Sequence, residues 1–129
     1  MSPIQSESLA RRLAELADSK KAEDIVVLDM RGLVAYTDFL AICTARNDRQ
    51  ARAIVDEVRV QMKRESGILP SGADGAGDAG WTLIDYLDCV LHVFTAEARD
   101  RYALEELWHE APRLELDLDA PEAPSAASA

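Results

Sequence analysis

The hydrophobic pattern of the chain changes repeatedly from a helical period to short apolar runs, and this alternation restricts the fold more than any other feature. Apolar residues recur every three or four positions over residues 6–21 and 51–65, as in helices that bury one face. Apolar runs of strand length lie at residues 24–29 and 38–44, and the Pro-containing segment 67–72 suits a short edge strand. Together with a hairpin and a last helix near the C-terminus, this order predicts an α/β (α+β) fold. The expected architecture is a mixed, roughly five-stranded sheet packed with helices.

Short polar side chains mark the start of each predicted helix. Ser6 and Thr95 each precede a helical segment and can accept a hydrogen bond from a free backbone amide. Asn47 can do the same, and Gln50 follows it at the spacing of a capping box. These signals predict that the second helix is capped by Asn47 and that the last helix runs over about residues 96–109.

Residues 81–95 are predicted to form two adjacent strands of a β-hairpin, Trp81–Tyr86 and Asp88–Thr95. Because strand side chains alternate, each strand contributes to two faces. One face is mostly apolar and suits the core: Thr82, Ile84, Tyr86, Cys89, Leu91 and Val93. The other face mixes large aromatic side chains with acids: Trp81, Leu83, Asp85, Asp88, Val90, His92 and Phe94.

The mixed face of this hairpin is too polar for a dry core and too apolar for simple contact with solvent. Such a mixture is typical of a protein–protein contact patch. The alternative is a half-buried face under a helix, with Trp81 as an ordinary core residue. A two-residue turn at Tyr86-Leu87 sets Leu83 opposite Val90. The same turn sets Trp81 opposite His92.

Charge is distributed unevenly along the chain, whose 24 acidic and 14 basic side chains give a formal charge of −10. Residues 1–64 carry 10 acids and 11 bases, whereas residues 65–129 carry 14 acids and 3 bases. An acidic half repels a phosphate backbone and favours a basic partner. We therefore expect a basic partner and no direct sequence-specific nucleic-acid binding. The alternative is that the acidic surface serves only to keep the protein soluble.

No sequence pattern indicates catalysis. The chain has neither a Gly-x-Ser-x-Gly nucleophile elbow nor a glycine-rich phosphate loop. Cys43 and Cys89 lie in apolar runs without a Cys-x-x-Cys pair, so both are predicted to be buried core residues rather than zinc ligands. We expect no catalytic residue, no metal and no cofactor. Asp85 and Asp88 flank the hairpin turn and can converge, which leaves a metal-dependent nucleotidyl-transfer enzyme as the alternative.

The ends of the chain indicate its environment and its domain limits. No apolar run approaches the roughly 18 residues of a membrane span. Met1–Gln5 contains neither a basic region nor an apolar stretch, so we expect no secretory signal, no membrane and a cytoplasmic protein. After Leu116 the composition is acidic and rich in Pro, Ala and Ser. It predicts a single domain over residues 1–116 and a disordered tail over 117–129.

Several ordered motifs occur together in this chain. The first half carries KAEDIVVLDMRG at residues 21–32, then DF at 38–39 and NDRQ at 47–50. The second half carries WxxxDYxDxxxHVF at 81–94, YxLExLW at 102–108 and AP at 111–112. Over about residues 6–116 this series resembles the ribosomal silencing factor family, also called Iojap-like. The chain departs from the family at residues 73–79, which are rich in Ala, Gly and Asp where relatives usually have a Glu-Gly-containing loop.

The resemblance implies a nucleotidyltransferase-like fold that lacks the catalytic carboxylates. It also implies binding to the large ribosomal subunit through ribosomal protein L-fourteen, which sterically blocks joining with the small subunit and lowers translation under nutrient limitation. Family members can form homodimers when free. By motif position, the resemblance implies Trp81, Asp85 and Tyr102 as contact residues. With the mixed hairpin face, the predicted partner-binding set is Trp81, Leu83, Asp85, Asp88, His92, Tyr102 and Glu105.

Overall fold

The computed structural model describes residues 5–74 and 80–118, in which helices and strands follow the predicted order. The predicted loop at 75–79 and the tail from residue 119 onward lie outside the described residues. No helix among the described residues is long and apolar enough to cross a membrane. The elements are α1 (Ser6–Ser19), β1 (Glu23–Asp29), β2 (Phe39–Thr44), α2 (Asp48–Ser66), β3 (Gly72–Asp74), β4 (Trp81–Asp85), β5 (Cys89–Phe94), α3 (Ala96–Tyr102) and α4 (Leu104–Leu107).

The strands form one five-stranded sheet in the order β1-β2-β5-β4-β3. β2 and β5 run parallel and pair along their whole length, from Phe39 opposite Cys89 to Thr44 opposite Phe94. The other neighbouring pairs are antiparallel. The predicted mixed sheet packed with helices is therefore confirmed, whereas the nucleotidyltransferase-like relationship stays a prediction.

The two faces of the sheet bury two separate apolar clusters. α1 and α2 cover the first cluster, which includes Ile84, Leu91 and Val93 of the hairpin and the two buried free cysteines, Cys43 and Cys89. The predicted apolar side of the hairpin is thus confirmed as core. The second cluster lies on the opposite face, against α3 and the residues around α4. Its buried members are Leu28, Met30, Leu40, Ile42, Val90, Phe94, Ala98 and Ala111.

The register of the hairpin differs from the prediction. Trp81 lies opposite Phe94 and not opposite His92, and Leu83 lies opposite His92 and not opposite Val90. The predicted register is therefore wrong by two residues on one strand. A slip of two residues leaves every side chain on its own face, because the side-chain period of a strand is two. For this reason the predicted faces are correct although the predicted register is wrong.

The hairpin turn explains the shifted register. Tyr86 N donates to Cys89 O at 3.0 Å, so the turn is Leu87-Asp88 rather than Tyr86-Leu87. Leu87 adopts a φ of 69°, a left-handed conformation that is unusual for a leucine. Asp85 Oδ1 accepts a hydrogen bond from Leu87 N at 2.7 Å and stabilises this turn.

Two of the predicted helix caps are confirmed. Asn47 Oδ1 accepts from Gln50 N at 2.8 Å, and Thr95 Oγ1 accepts from Ala98 N at 3.3 Å. The return bond of the capping box differs, since Gln50 Oε1 accepts from Arg46 N at 2.6 Å rather than from the amide of Asn47. Gln50 thereby links the residues just before α2 to the first turn of that helix.

Three predicted boundaries are wrong. Ser6 is the first residue of α1, and no side chain caps that helix. The helix predicted over 96–109 is divided because Ala103 adopts a left-handed φ of 48°. The edge strand predicted over 67–72 begins at its last residue, Gly72. Pro70, within that range, has no N–H to contribute to a ladder.

After α4 the chain runs along the outer edge of β1. Asp29 N donates to Pro112 O at 2.7 Å, and Leu114 N donates to Val27 O at 2.9 Å. This cover protects an edge strand from pairing with other chains. Leu118 is half-buried against the first cluster, so packing of the chain extends past the predicted domain end at residue 116.

Candidate protein-binding site

Four aromatic rings meet where β4, β5 and α3 come together. Trp81 is at the centre, with ring-centroid distances of 4.5 Å to Tyr102, 5.3 Å to Phe94 and 5.9 Å to His92. These separations lie in the range at which aromatic pairs attract. Trp81 itself is half-buried, so the cluster holds its ring while leaving part of it accessible.

His92 holds the Trp81 ring by a direct hydrogen bond. Trp81 Nε1 donates to His92 Nδ1 at 3.1 Å, and this requires that Nδ1 carry no proton. Burial lowers the pKa of His92 to about 4, against a smaller raising effect from Asp85. The ring is therefore neutral near pH 7 and stays an acceptor. Because His92 is only 9% exposed, its contribution to this surface is to orient the indole.

The β4 strand leaves a row of side chains open on the second face of the sheet. Trp81, Leu83 and Asp85 are half-buried, whereas Val90 and Phe94 on the neighbouring strand β5 are buried. The α3–α4 layer thus covers the β2–β5 side of this face more completely than the β4 side. The open β4 row presents, in order, an indole, an aliphatic side chain and a carboxylate.

The two predicted aspartates occupy different positions. Asp85 lies at the end of the open β4 row, with one carboxylate oxygen bound to the hairpin turn. Asp88 is exposed in the turn itself, and its carbonyl accepts from the backbone amides of Asp38 and Phe39, each at 3.1 Å. The loop before β2 is thereby fixed against the hairpin turn.

The Glu105 carboxylate contacts arginine side chains rather than the aromatic cluster. Its Oε1 accepts from Arg99 Nε at 2.9 Å, and its Oε2 lies 3.7 Å from Arg113 Nη2. The hydrogen bond from Arg99 lowers the pKa of Glu105, which keeps the carboxylate ionised. Of the predicted set, the structure brings together Trp81, Leu83, His92 and Tyr102, with Asp85 and Asp88 at one end and Glu105 apart.

Gly80 fixes where β4 begins. It has a φ of 88°, and a Cβ built on it lies 2.6 Å from Thr95 Oγ1. Thr95 N donates to Gly80 O at 2.9 Å, so the start of β4 and the capping residue of α3 are bound together. A glycine is required for this approach. It brings Trp81, the next residue, close to α3.

The groups considered for metal binding or catalysis lie in structural surroundings. No group of three or more His, Cys, Asp or Glu side chains in residues 5–74 and 80–118 is arranged to hold a metal ion. Burial raises the pKa of the Cys43 thiol to about 12 and that of Cys89 still higher, so neither is a nucleophile at neutral pH. Asp85 is engaged in a turn rather than paired with Asp88 around a shared site.

Sequence reasoning missed three residues near this surface. Tyr36 and Leu87 are each 62% exposed, and their segments are joined by the hydrogen bond from Asp38 N to Asp88 O. Both add exposed apolar surface at the turn end of the hairpin, and no periodic signal indicates them because both lie in loops. Arg99, the partner of Glu105, is also missed, since an arginine on a short helix has no distinctive pattern.

The family model described as "Ribosomal silencing factor during starvation" matches residues 3–129. The chain is 39% identical over 114 residues to the ribosomal silencing factor RsfS of Bacillus subtilis, a match that covers 88% of this chain and 96% of that protein. It is 38% identical over 112 residues to the chloroplastic protein Iojap of Zea mays, covering 87% of this chain and 48% of that one. A crystal structure from Chromobacterium violaceum superposes with a TM-score of 0.76 at 28% identity, covering 82% of this chain and 88% of that chain. This chain belongs to the ribosomal silencing factor (Iojap-like) family.

Proposed function

We propose that this protein binds the large ribosomal subunit through ribosomal protein L-fourteen and sterically blocks joining with the small subunit. Translation is then repressed under nutrient limitation. Membership of the silencing factor family supports a regulatory role at the ribosome. The finer assignment to one ribosomal protein and to one step of translation is our proposal.

The open β4 row is the single observation that carries this proposal. Trp81, Leu83 and Asp85 combine an aromatic anchor, an apolar neighbour and an acid on one half-buried strand. Interfaces are typically anchored by a few large side chains of this kind, with polar groups around them. We propose direct contact through these residues, Asp88 and Tyr102, with His92 and Glu105 acting through the groups they hold.

The charge of the chain supports a basic partner. Residues 65–129, which contain the open β4 row, carry 14 acids and 3 bases. Ribosomal proteins bind RNA, and a surface adapted to phosphate is complementary to such an acidic half. We also propose a cytoplasmic location and a homodimer in the free protein.

Adding the protein to purified subunits tests the proposed function. In excess over separated subunits, it is expected to co-sediment with the large subunit and to reduce the yield of joined ribosomes. It is expected to bind ribosomes that are already joined poorly, since the contact face is then occupied. Equal binding to both subunits, or unchanged joining, contradicts steric exclusion.

The alternative of a metal-dependent nucleotidyl-transfer enzyme finds no support. It requires Asp85 and Asp88 to converge on a metal, whereas Asp85 stabilises the turn in which Asp88 is exposed. The enzyme hypothesis predicts binding of magnesium–nucleotide, and the binding hypothesis predicts association with large subunits. One titration of each ligand separates them.

Reversing the charge of Asp85 is expected to weaken large-subunit binding about tenfold, because a lysine at this position meets a basic partner. Asp85→Asn keeps an oxygen for the turn but removes the charge, so its loss is expected to be smaller. Raising the salt concentration weakens the wild type in the same direction. Sedimentation at several salt concentrations measures these changes.

Asp56→Lys is the matched control for the charge of Asp85. Asp56 is exposed on α2, which covers the opposite face of the sheet, and the substitution changes the net charge of the chain equally. Its affinity is expected to stay within about twofold of the wild type. An Asp85→Lys protein that binds as tightly as Asp56→Lys removes Asp85 from the contact set.

A further inference from the structure

The α3–α4 layer carries Tyr102 toward Trp81 but has little buried surface of its own. α3 has seven residues, of which Ala98 is buried, and α4 has four residues, none of them buried. Helices this short are marginal by themselves. Contacts with the rest of the domain must therefore hold this layer in place.

Arg99 supplies such contacts to three other elements. From α3, its Nη1 donates to the Asp24 carbonyl of β1 at 2.7 Å and to Thr44 Oγ1 of β2 at 2.8 Å. Its Nε and Nη2 donate to the two carboxylate oxygens of Glu105 in α4, at 2.9 Å and 3.0 Å. The Arg99 side chain is 12% exposed. A bidentate pair of this kind is stronger and more directional than a single hydrogen bond.

The backbone of β1 is shaped for this contact. Asp24 has a φ of 50° and lies where the register of β1 against β2 shifts, between Glu23 and Val26. An irregularity of this kind turns backbone N–H and C=O groups away from the hydrogen bonds between the strands. Here the Asp24 carbonyl accepts from Arg99. A left-handed conformation at a residue other than glycine has an energetic cost, which this bond offsets.

Tyr102 lies between the two ends of this arrangement. It is three residues after Arg99 and three before Glu105, next to the left-handed break at Ala103. The Arg99 carbonyl accepts from Ala103 N at 2.9 Å, which closes α3 directly after Tyr102. Arg99 is bound to the strand ends, and Glu105 is bound to Arg99, so the chain is fixed on both sides of Tyr102. The tyrosine ring lies 4.5 Å from Trp81.

We propose that Arg99 is a positioning residue for partner binding, which sets the Tyr102 ring against Trp81 by clamping α3 and α4 to the ends of β1 and β2. The inference rests on the proposed function, because it assigns the clamp to the same contact surface. Arg99 itself does not touch the partner. It acts through Tyr102 and the indole beside it.

Conservative substitutions test the clamp. Arg99→Lys keeps the charge but loses the planar fork, and Glu105→Gln keeps the shape but loses the ion pair. Each is expected to weaken large-subunit binding about tenfold, the scale of a lost charge-assisted bond. Arg101→Lys on the same helix is the control, since Arg101 is exposed and lies 4.0 Å from Glu97. Its affinity is expected to stay within about twofold.

A double-mutant cycle separates positioning from general stability. If Arg99 acts through Tyr102, Arg99→Lys is expected to cost less than about twofold once Tyr102 is alanine. Losses that multiply in the double variant, or unchanged affinity of both Arg99→Lys and Glu105→Gln, overturn the proposal. Binding is compared at equal concentrations of folded protein.

Trp81 fluorescence gives a readout that does not depend on the ribosome. In a Trp108→Phe background Trp81 is the one remaining tryptophan. Arg99→Lys is expected to shift its emission toward that of Tyr102→Ala, because the ring contact loosens. An unchanged spectrum contradicts the clamp, whereas a wild-type protein that does not bind large subunits contradicts the proposed function.

Discussion

Replacing Trp81 with alanine is expected to weaken large-subunit binding by at least about 2 kcal/mol, or about thirtyfold in Kd. The indole is the largest side chain of the open β4 row and is half-buried in the free protein. Three neighbouring rings and the bond to His92 fix its orientation before the partner arrives. A pre-oriented anchor loses little conformational entropy on binding, so most of its contact energy counts toward affinity.

Trp81→Ala also removes packing from the aromatic cluster, so stability must be measured separately. Trp81→Phe is the matched variant, because it keeps a ring against Tyr102 but has no N–H for His92. Urea unfolding gives the loss in folding free energy, and sedimentation gives the affinity of the folded fraction. If the folded fraction of Trp81→Ala binds like the wild type while its unfolding free energy falls, Trp81 is a core residue and not an anchor.

The sequence was sufficient to predict the two faces of the hairpin but not its register. Alternation places Leu91 on one face and Trp81 on the other whatever the turn, because a face depends only on parity. The register depends on the turn, which needs Leu87 in a left-handed conformation. Left-handed turn positions are normally recognised by Gly, Asn or Asp, and Leu87 gives no such signal.

The division of the last helix was unpredictable for the same reason. Ala103 is a strong helix former, and the apolar spacing continues from Tyr102 to Trp108 without a breaker. Its left-handed conformation is stabilised from outside the helix, by the contacts of Arg99 with β1, β2 and Glu105. Tertiary contacts of this kind override local propensity.

The burial of the site residues could not be predicted from the sequence either. Trp81 and His92 have similar positions in the alternation, yet one is half-exposed and the other is buried. The difference depends on how far the α3–α4 layer extends over the sheet. Only the packed structure shows that His92 supports the indole.

Lowering the pH is expected to destabilise the protein between about pH 6.5 and pH 4 through His92. Burial depresses its folded-state pKa from the ordinary 6.5 to about 4. In this window the unfolded chain binds a proton that the folded chain excludes, so folding stability falls as the pH falls. The contribution is fully present above pH 6.5, and its loss amounts to about 3 kcal/mol, most of it by pH 4.5.

His92→Gln isolates this contribution, since glutamine offers an acceptor to Trp81 and does not titrate. Its urea-unfolding free energy is expected to fall less than that of the wild type between pH 7 and pH 4.5. His109→Gln, at an exposed position, is expected to decline like the wild type. The carboxylates of Asp29, Glu65 and Glu105 also lose stabilisation as the pH falls, because their arginine partners lower their pKa values below those of the unfolded chain. This loss is common to the wild type and His92→Gln, so the difference between the two proteins measures the contribution of His92. If the unfolding free energies of the wild type and His92→Gln fall in parallel, His92 is not the group whose protonation destabilises the protein at low pH. The hydrogen bond from Trp81 to His92 is then not the contact that low pH breaks.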